Sequence, residues 1–319
     1  MMIVCFLDLL GFSKLLELDQ EVAYNNMITF NNVISTRFTD DKNHPIENYK
    51  KLYPDQDQFY EFVKNTGVTS FKNLISFSDS LVIGGEDIDL FITQLMSFLA
   101  TVYIDSMKPF KSIGIEDKKS RYVDKFNEGC TRNHNAFPLL FRGGISVGKD
   151  VLFENQLHFK NGKRENTSLN VFGLTYLKAV KLEKTDKGPR LFCDKSVVNA
   201  ISNKRMIKKV DSEKGLYEIV WTVSDAISGT SNRKWDNVIK KIDNEMLPAA
   251  MNFYNHYRHE EGLEPHYREL IKLIACGIIK YANDECDRAE DACKRINDKL
   301  KSKLIDLIID TSVLNDFLE

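Results

Sequence analysis

Apolar and polar positions alternate between two periods along this chain, and the changes of period mark its elements. Residues 3–10 are a run of apolar positions interrupted at Asp8, which reads as a buried strand that carries a carboxylate to its end. From Ser13 to about Arg37 the apolar positions recur at Leu15, Leu16, Leu18, Val22, Met27, Ile28, Phe30, Val33 and Ile34, a spacing that predicts one or two helices packed on a sheet. Residues 71–85 hold two short β-type runs around Ser78-Asp79-Ser80, which predicts a hairpin with Asp79 at its tip. A helical period returns over 88–107 through Leu90, Phe91, Leu95, Phe98, Leu99 and Val102. Residues 138–148 predict a strand with glycines at close-approach positions, and 150–168 a polar, hairpin-like excursion. Gly173 precedes a helix to 184, and strands follow around 190–193 and 216–223.

Two stretches break the pattern. Residues 39–70 and 108–137 are polar, charged and interrupted by Pro or Gly, and read as exposed insertions. From about 226 the chain reads as helical, with apolar faces at Leu270, Leu273, Ile274, Ile278 and Tyr281, then at Ile296, Leu300, Leu304, Leu307 and Ile308. The expected organisation is a domain over 1–225 and a helical extension over 226–319. Its fold class is α+β, an antiparallel sheet covered by helices.

Composition narrows the function classes. With 319 residues, 43% hydrophobic and 28% charged, the chain can bury a sizeable core. A formal net charge of −2 argues against a protein built to bind nucleic acid. The six cysteines form no C-x-x-C pair and no metal-ligand spacing, so reduced thiols in a cytoplasmic protein are expected. No segment offers about 18 uninterrupted apolar residues, so no membrane partner is expected. The sequence holds no P-loop motif and no dinucleotide-fold fingerprint.

The candidate chemistry is a pair of carboxylates and a set of cations. Asp8 and Asp79 each close a β segment, and if those segments pair, both acids reach one sheet edge. With the Leu9 carbonyl they form an oxygen donor set for Mg²⁺ or Mn²⁺ on a polyphosphate. Gly11, Phe12 and Ser13 form a turn whose backbone N–H groups suit phosphate. Lys178 and Lys181 share one helical face, and Lys208, Lys209 and Lys214 flank the strand near Leu216. Such cations suit phosphoryl oxygens and a leaving pyrophosphate. His256 and His259, three apart, lack a third ligand and read as a solvated face.

Taken together, Phe6-Leu-Asp8-Leu-Leu-Gly11-Phe-Ser13, Ser78-Asp79-Ser80, Arg142-Gly-Gly-Ile-Ser-Val-Gly148 and Gly173-Leu-Thr-Tyr-Leu-Lys-Ala-Val-Lys181-Leu-Glu183 resemble, in order, the four signature segments of class III nucleotide cyclase catalytic domains. The resemblance spans about 2–225. It implies a ferredoxin-like α+β domain working as a head-to-tail homodimer with composite sites. It assigns Asp8, Asp79 and the Leu9 carbonyl to metal, and Gly11, Phe12 and Ser13 to phosphate.

The chain departs from the purine cyclase pattern. Leu177 and Lys181 stand where the family has Asn and Arg, so Lys181, with Lys178 or Lys214, takes the transition-state role in this reading. Ile75 and Asn170 stand at the base-reading positions, and the Asn170 amide offers a donor and an acceptor suited to a pyrimidine edge. The pattern is most similar to the bacterial Pycsar pyrimidine cyclases. That implies UTP or CTP as substrate, cyclic UMP or cyclic CMP as product, and a separate effector in anti-phage defence. The alternative is a degenerate cyclase-homology domain that binds nucleotide or only dimerises.

Overall fold

The computed structural model describes residues 1–18, scattered positions between 20 and 34, and residues 70–107, 139–160, 163–223, 242–284 and 289–302. The expected insertions at 39–70, apart from Ser70, and at 108–137 lie outside the described residues, as do Leu304, Leu307, Ile308, Cys130 and Cys286.

The first half builds the sheet. Strand β1 (Met2–Leu9) leads through the Gly11 turn into α1 (Phe12–Leu18). Strands β2 (Phe71–Phe77) and β3 (Ser80–Gly85) form the hairpin, and α2 (Ile88–Met107) returns the chain to β4 (Phe141–Gly148). The order β2-β3-β1-β4 is antiparallel at every step, the arrangement of a ferredoxin-like βαββαβ unit. Beyond β4 the sheet continues with β7 (Leu191–Asp194), then β9 (Leu216–Ile219), then β8 (Ile207–Asp211). The β4–β7 contact is parallel, so the seven-stranded sheet is mixed at one step. Between these lie the hairpin β5 (Leu152–Lys160) and β6 (Lys163–Phe172), then α3 (Leu174–Glu183) and, after β7, α4 (Lys195–Ala200). The observed fold class is the expected one. Strand β8 and helix α4 are additions to the expected elements: both are short, and in β8 charged and apolar residues mix without a clean alternation.

Period-two alternation in β1 divides its side chains between two layers. Ile3, Cys5, Leu7 and Leu9 enter the main core with Phe91, Ile92 and Leu95 of α2. Val4 and Phe6 enter a second cluster with Ile75, Val82 and Ala179, closed by Val151, Phe153, Leu169 and Val171. Asp8 continues the Val4–Phe6 face past the end of that cluster, so it emerges where the apolar cover stops.

Helix α3 packs on this second face, across β1 and β4. Gly144 permits the approach: a Cβ there would stand 2.8 Å from the Glu183 backbone N and 2.7 Å from Leu182 Cβ. The described part of the 226–319 stretch holds a π-helical turn (Ile242–Met246) and helices α5 (Leu247–Tyr257), α6 (Glu264–Asp284) and α7 (Ala289–Ser302). Leu247, Phe253, Leu270, Ile274 and Ile296 share the main core with the sheet. Thr222 Oγ1, in the 3-10 turn after β9, donates to the Leu273 carbonyl at 3.1 Å, and the Lys280 ammonium to the Ile207 carbonyl of β8 at 3.3 Å, so α6 is also hydrogen-bonded to the sheet side. No described helix is long and apolar enough to cross a membrane.

Candidate active site

The site begins with backbone register. Asp8 stands opposite Ser80 on one neighbouring strand and opposite Arg142 on the other. Ser80 Oγ donates to Asp8 Oδ1 at 3.0 Å, and an Arg142 terminal nitrogen donates to Asp8 Oδ2 at 3.2 Å.

The β2–β3 turn has two residues between the paired Phe77 and Ser80, and Ser78 takes a left-handed φ of 54°. Tight hairpins need this conformation because it matches the twist of the strands. The turn is pinned to β1 by a 2.9 Å bond from the Leu9 N–H to the Asp79 carbonyl. That bond brings the second acid beside the first, as the hairpin pattern predicts. Burial pushes the Asp8 carboxyl up from its ordinary value; Ser80 and Arg142 pull it back, and the negative charge of Asp79 raises it further.

Glu183, at the end of α3, is the third acid here. It follows Thr175 and Ala179 at four-residue steps on the buried face of the helix and is 2% exposed. Its carboxylate contacts Arg142 Nε as an ion pair that lacks hydrogen-bond alignment. Burial raises the Glu183 carboxyl, Arg142 opposes that, and Asp8 adds to it. Arg142 therefore lies between two acids.

Around these groups a frame sets the start of β4. The Gly143 N–H donates to the Arg190 carbonyl at 2.9 Å, and Arg190 forks onto the buried Glu218 with two 2.8 Å bonds. His266 of α6 accepts the Gly188 N–H on Nδ1 at 3.1 Å. Burial pulls the His266 imidazole down to about 4, helped by the charges of Arg142 and Lys187.

The expected phosphate turn is present in outline. Gly11 has φ 74°, and the Leu15 N–H bonds the Gly11 carbonyl at 2.8 Å as α1 starts. The Phe12 side chain packs against the main core, and Ser13 is exposed. Leu9 is the last residue of β1, with its side chain buried.

The cations lie apart from Asp8. Lys178 and Lys181 are exposed on α3, on the face opposite Thr175, Ala179 and Glu183. Lys214 is 79% exposed, paired with Asp211 at 3.2 Å in the β8–β9 turn. That turn lies at the far end of the sheet, because Leu216 pairs with Asp194 while β7 starts beside Gly143. Asn170 lies on β6 opposite Glu154, in the two-stranded sheet. It alternates with Leu169 and Val171, which pack towards Ile75. One chain thus brings together Asp8, Asp79, Ser80, Arg142 and Glu183, and not the lysines.

In the sequence, Ser80, Arg142 and Glu183 stand only as motif letters without a role. A charged residue on the apolar period of α3 was a readable sign for Glu183. Arg142 had no such sign, since its place beside Asp8 follows from strand register.

The donor set fits a hard divalent cation, with two carboxylates close enough to repel each other and oxygen atoms only. Among the described residues no group of three or more His, Cys, Asp or Glu is arranged to hold a metal. The described cysteines Cys5, Cys193, Cys276 and Cys293 are all buried, and none of them is in a disulfide.

No protein-family model and no curated protein matches the chain. Solved structures similar in outline include the catalytic core of a rhodopsin-guanylyl cyclase with converted specificity in complex with ATPalphaS. It is 14% identical, with 68% of this chain and 94% of that chain covered and a TM-score of 0.36. The guanylate cyclase domain of RhGC from Catenaria anguillulae in complex with GTP is 13% identical, with 68% and 94% covered and a TM-score of 0.36. A monomeric double mutant of the guanylyl cyclase domain of the RhoGC fusion protein from Blastocladiella emersonii is 13% identical, with 68% and 93% covered and a TM-score of 0.36. Likenesses of this size transfer neither activity nor residue roles, so the functional reading rests on the chain's own geometry.

Proposed function

We propose that the protein is a metal-dependent nucleotide cyclase that converts UTP to 3′,5′-cyclic UMP and pyrophosphate. The observation that carries this reading is the pinning of Asp79 against Asp8 at the open end of an apolar sheet face, with Arg142 beside them. Asp8, Asp79 and the Leu9 carbonyl would hold Mg²⁺ or Mn²⁺. Held there, such ions would lower the pKa of the ribose 3′-hydroxyl and offset charge on the α-phosphoryl oxygens. The 3′-oxygen bonds to the α-phosphorus, the bond to the β-phosphate oxygen breaks, pyrophosphate leaves, and the hydroxyl proton passes to solvent. The Gly11–Ser13 turn would receive phosphate through backbone N–H groups.

A homodimer would complete the site. Leu174 and Leu177 are 60% and 45% exposed on the helix face that carries Lys178 and Lys181. Leu152 and Phe172, paired across the hairpin base, are 56% and 47% exposed beside them. A second copy covering these apolar groups would remove them from water and carry the lysines towards the partner's carboxylates. Lys214, at the other sheet end, suits the same head-to-tail placement. Pyrimidine preference rests on Ile75, which is buried and uncharged, and on the Asn170 amide, the two positions that stand for the purine readers. A messenger role in anti-phage defence, acting through a separate effector, is part of the same reading.

The test is incubation of the protein with each of the four nucleoside triphosphates and Mn²⁺, with chromatography of the products. Cyclic UMP is expected. Cyclic CMP would reassign the base, cyclic AMP or cyclic GMP would end the pyrimidine reading, and nucleotide binding without product would favour a degenerate domain.

A further inference from the structure

Glu183 has no part in the mechanism above, yet it is the most deeply buried acid at the site. Burying a carboxylate to 2% exposure is costly unless a cation faces it, and that cation is Arg142. The same guanidinium reaches Asp8. One cation is therefore shared by a fixed, buried acid and an acid at the rim, 23% exposed. The sharing depends on Gly144, whose missing side chain lets the end of α3 close on β4.

The inference rests on reading Asp8 as a metal ligand. A divalent cation on Asp8 competes with the terminal nitrogen of Arg142. It does not reach Arg142 Nε, which stays against Glu183. The released end of the fork is then held beside the metal, where phosphoryl oxygens can accept from it. We infer that Glu183 is a positioning residue. It anchors Arg142 by Nε so that the terminal nitrogens alternate between Asp8 in the empty site and phosphate in the filled one.

Binding of Mn²⁺ alone, and of pyrophosphate in the presence of Mn²⁺, measured by calorimetry on the full chain, tests this without turnover. Arg142→Gln relieves Asp8 of its competitor, so Mn²⁺ alone binds several-fold tighter while pyrophosphate binds about tenfold more weakly. Glu183→Gln leaves Arg142 wholly to Asp8, so Mn²⁺ alone binds several-fold more weakly and pyrophosphate again loses about tenfold. In the double variant Mn²⁺ binding follows Arg142→Gln, and the pyrophosphate loss does not add. A merely structural role for Glu183 gives no opposite signs for Mn²⁺ in the two single variants. If Glu183→Gln fails to fold, Arg142→Lys serves, because an ammonium cannot span both acids. It is expected to keep the melting temperature within a few degrees and lose about tenfold in pyrophosphate affinity. Wild-type affinities in Glu183→Gln or Arg142→Lys, additive losses in the double variant, or a wild-type protein that binds no Mn²⁺-pyrophosphate overturn the inference. Missing cyclic product with these couplings intact overturns only the cyclase reading.

Discussion

The two charged regions of this molecule are built in opposite ways. The acids at the end of β1 are pinned by backbone: register, a two-residue turn and one cross-strand bond bring Asp79 to Asp8, and a close-packed helix brings Glu183 to Arg142. The cations on α3 and at the β8–β9 turn are exposed, and exposed leucines and a phenylalanine surround those on α3. The difference teaches that, in the proposed site, one half would be finished by folding, while the other half is a surface that a second copy would finish. It also sets the sizes of the effects to expect.

The largest belongs to the finished half. Asp8→Ala is expected to lower the rate of cyclic product formation by about a thousandfold or more, with the fold kept, because the acid is a rim group and not a core one. Near-wild-type turnover in that variant removes Asp8 from the chemistry. Next comes the comparison itself. Lys181→Ala is expected to lower kcat by about ten- to a hundredfold. Equal mixing of the Asp8→Ala and Lys181→Ala proteins then restores about a quarter of wild-type activity, since half of random dimers carry one intact site of two. No recovery on mixing means that each chain supplies its own cations. Leu177→Glu is expected to shift the protein to monomer in sedimentation and to cost activity in parallel, whereas a monomeric wild type breaks the two-half account.

Smaller effects fall on the frame. Gly144→Ala forces α3 away from β4 and is expected to destabilise by about 1–3 kcal/mol in denaturant unfolding. Its loss of Mn²⁺-pyrophosphate affinity should track that of Glu183→Gln. The frame also carries a pH effect. The His266 pKa is lowered from 6.5 to about 4, so the unfolded state takes up its proton first as pH falls. The stability that His266 confers as a neutral ring is complete above about pH 6.5 and is lost as pH falls towards about 4. His266→Asn should flatten melting temperature against pH across that window; an unchanged slope assigns the dependence elsewhere.

Much of the finished half was legible along the chain. A strand that ends in Asp, a Ser-Asp-Ser turn between β-type runs and a helix after Gly173 are local patterns, and local sterics fix them. The α2 helix and the α+β class followed from period alone. Short elements were not legible: β8 and α4 have too few residues to establish a period, and contacts with β9 and β4 hold them. The lysines match the acids in chemistry, but within one chain they lie on another face.

By itself, then, the sequence determined where each acid sits within its own element and which positions enter the core, because hydrophobic periodicity and turn conformation act over a few residues. Only the tertiary structure decided which charges meet. Arg142 lies beside Asp8 because antiparallel register set that pair, and Glu183 reaches Arg142 because Gly144 lets a helix close on a strand. A register shift of one residue would send Asp8 or Arg142 to the opposite face. Register is fixed by the packing of the whole face, and no local stretch of chain encodes it.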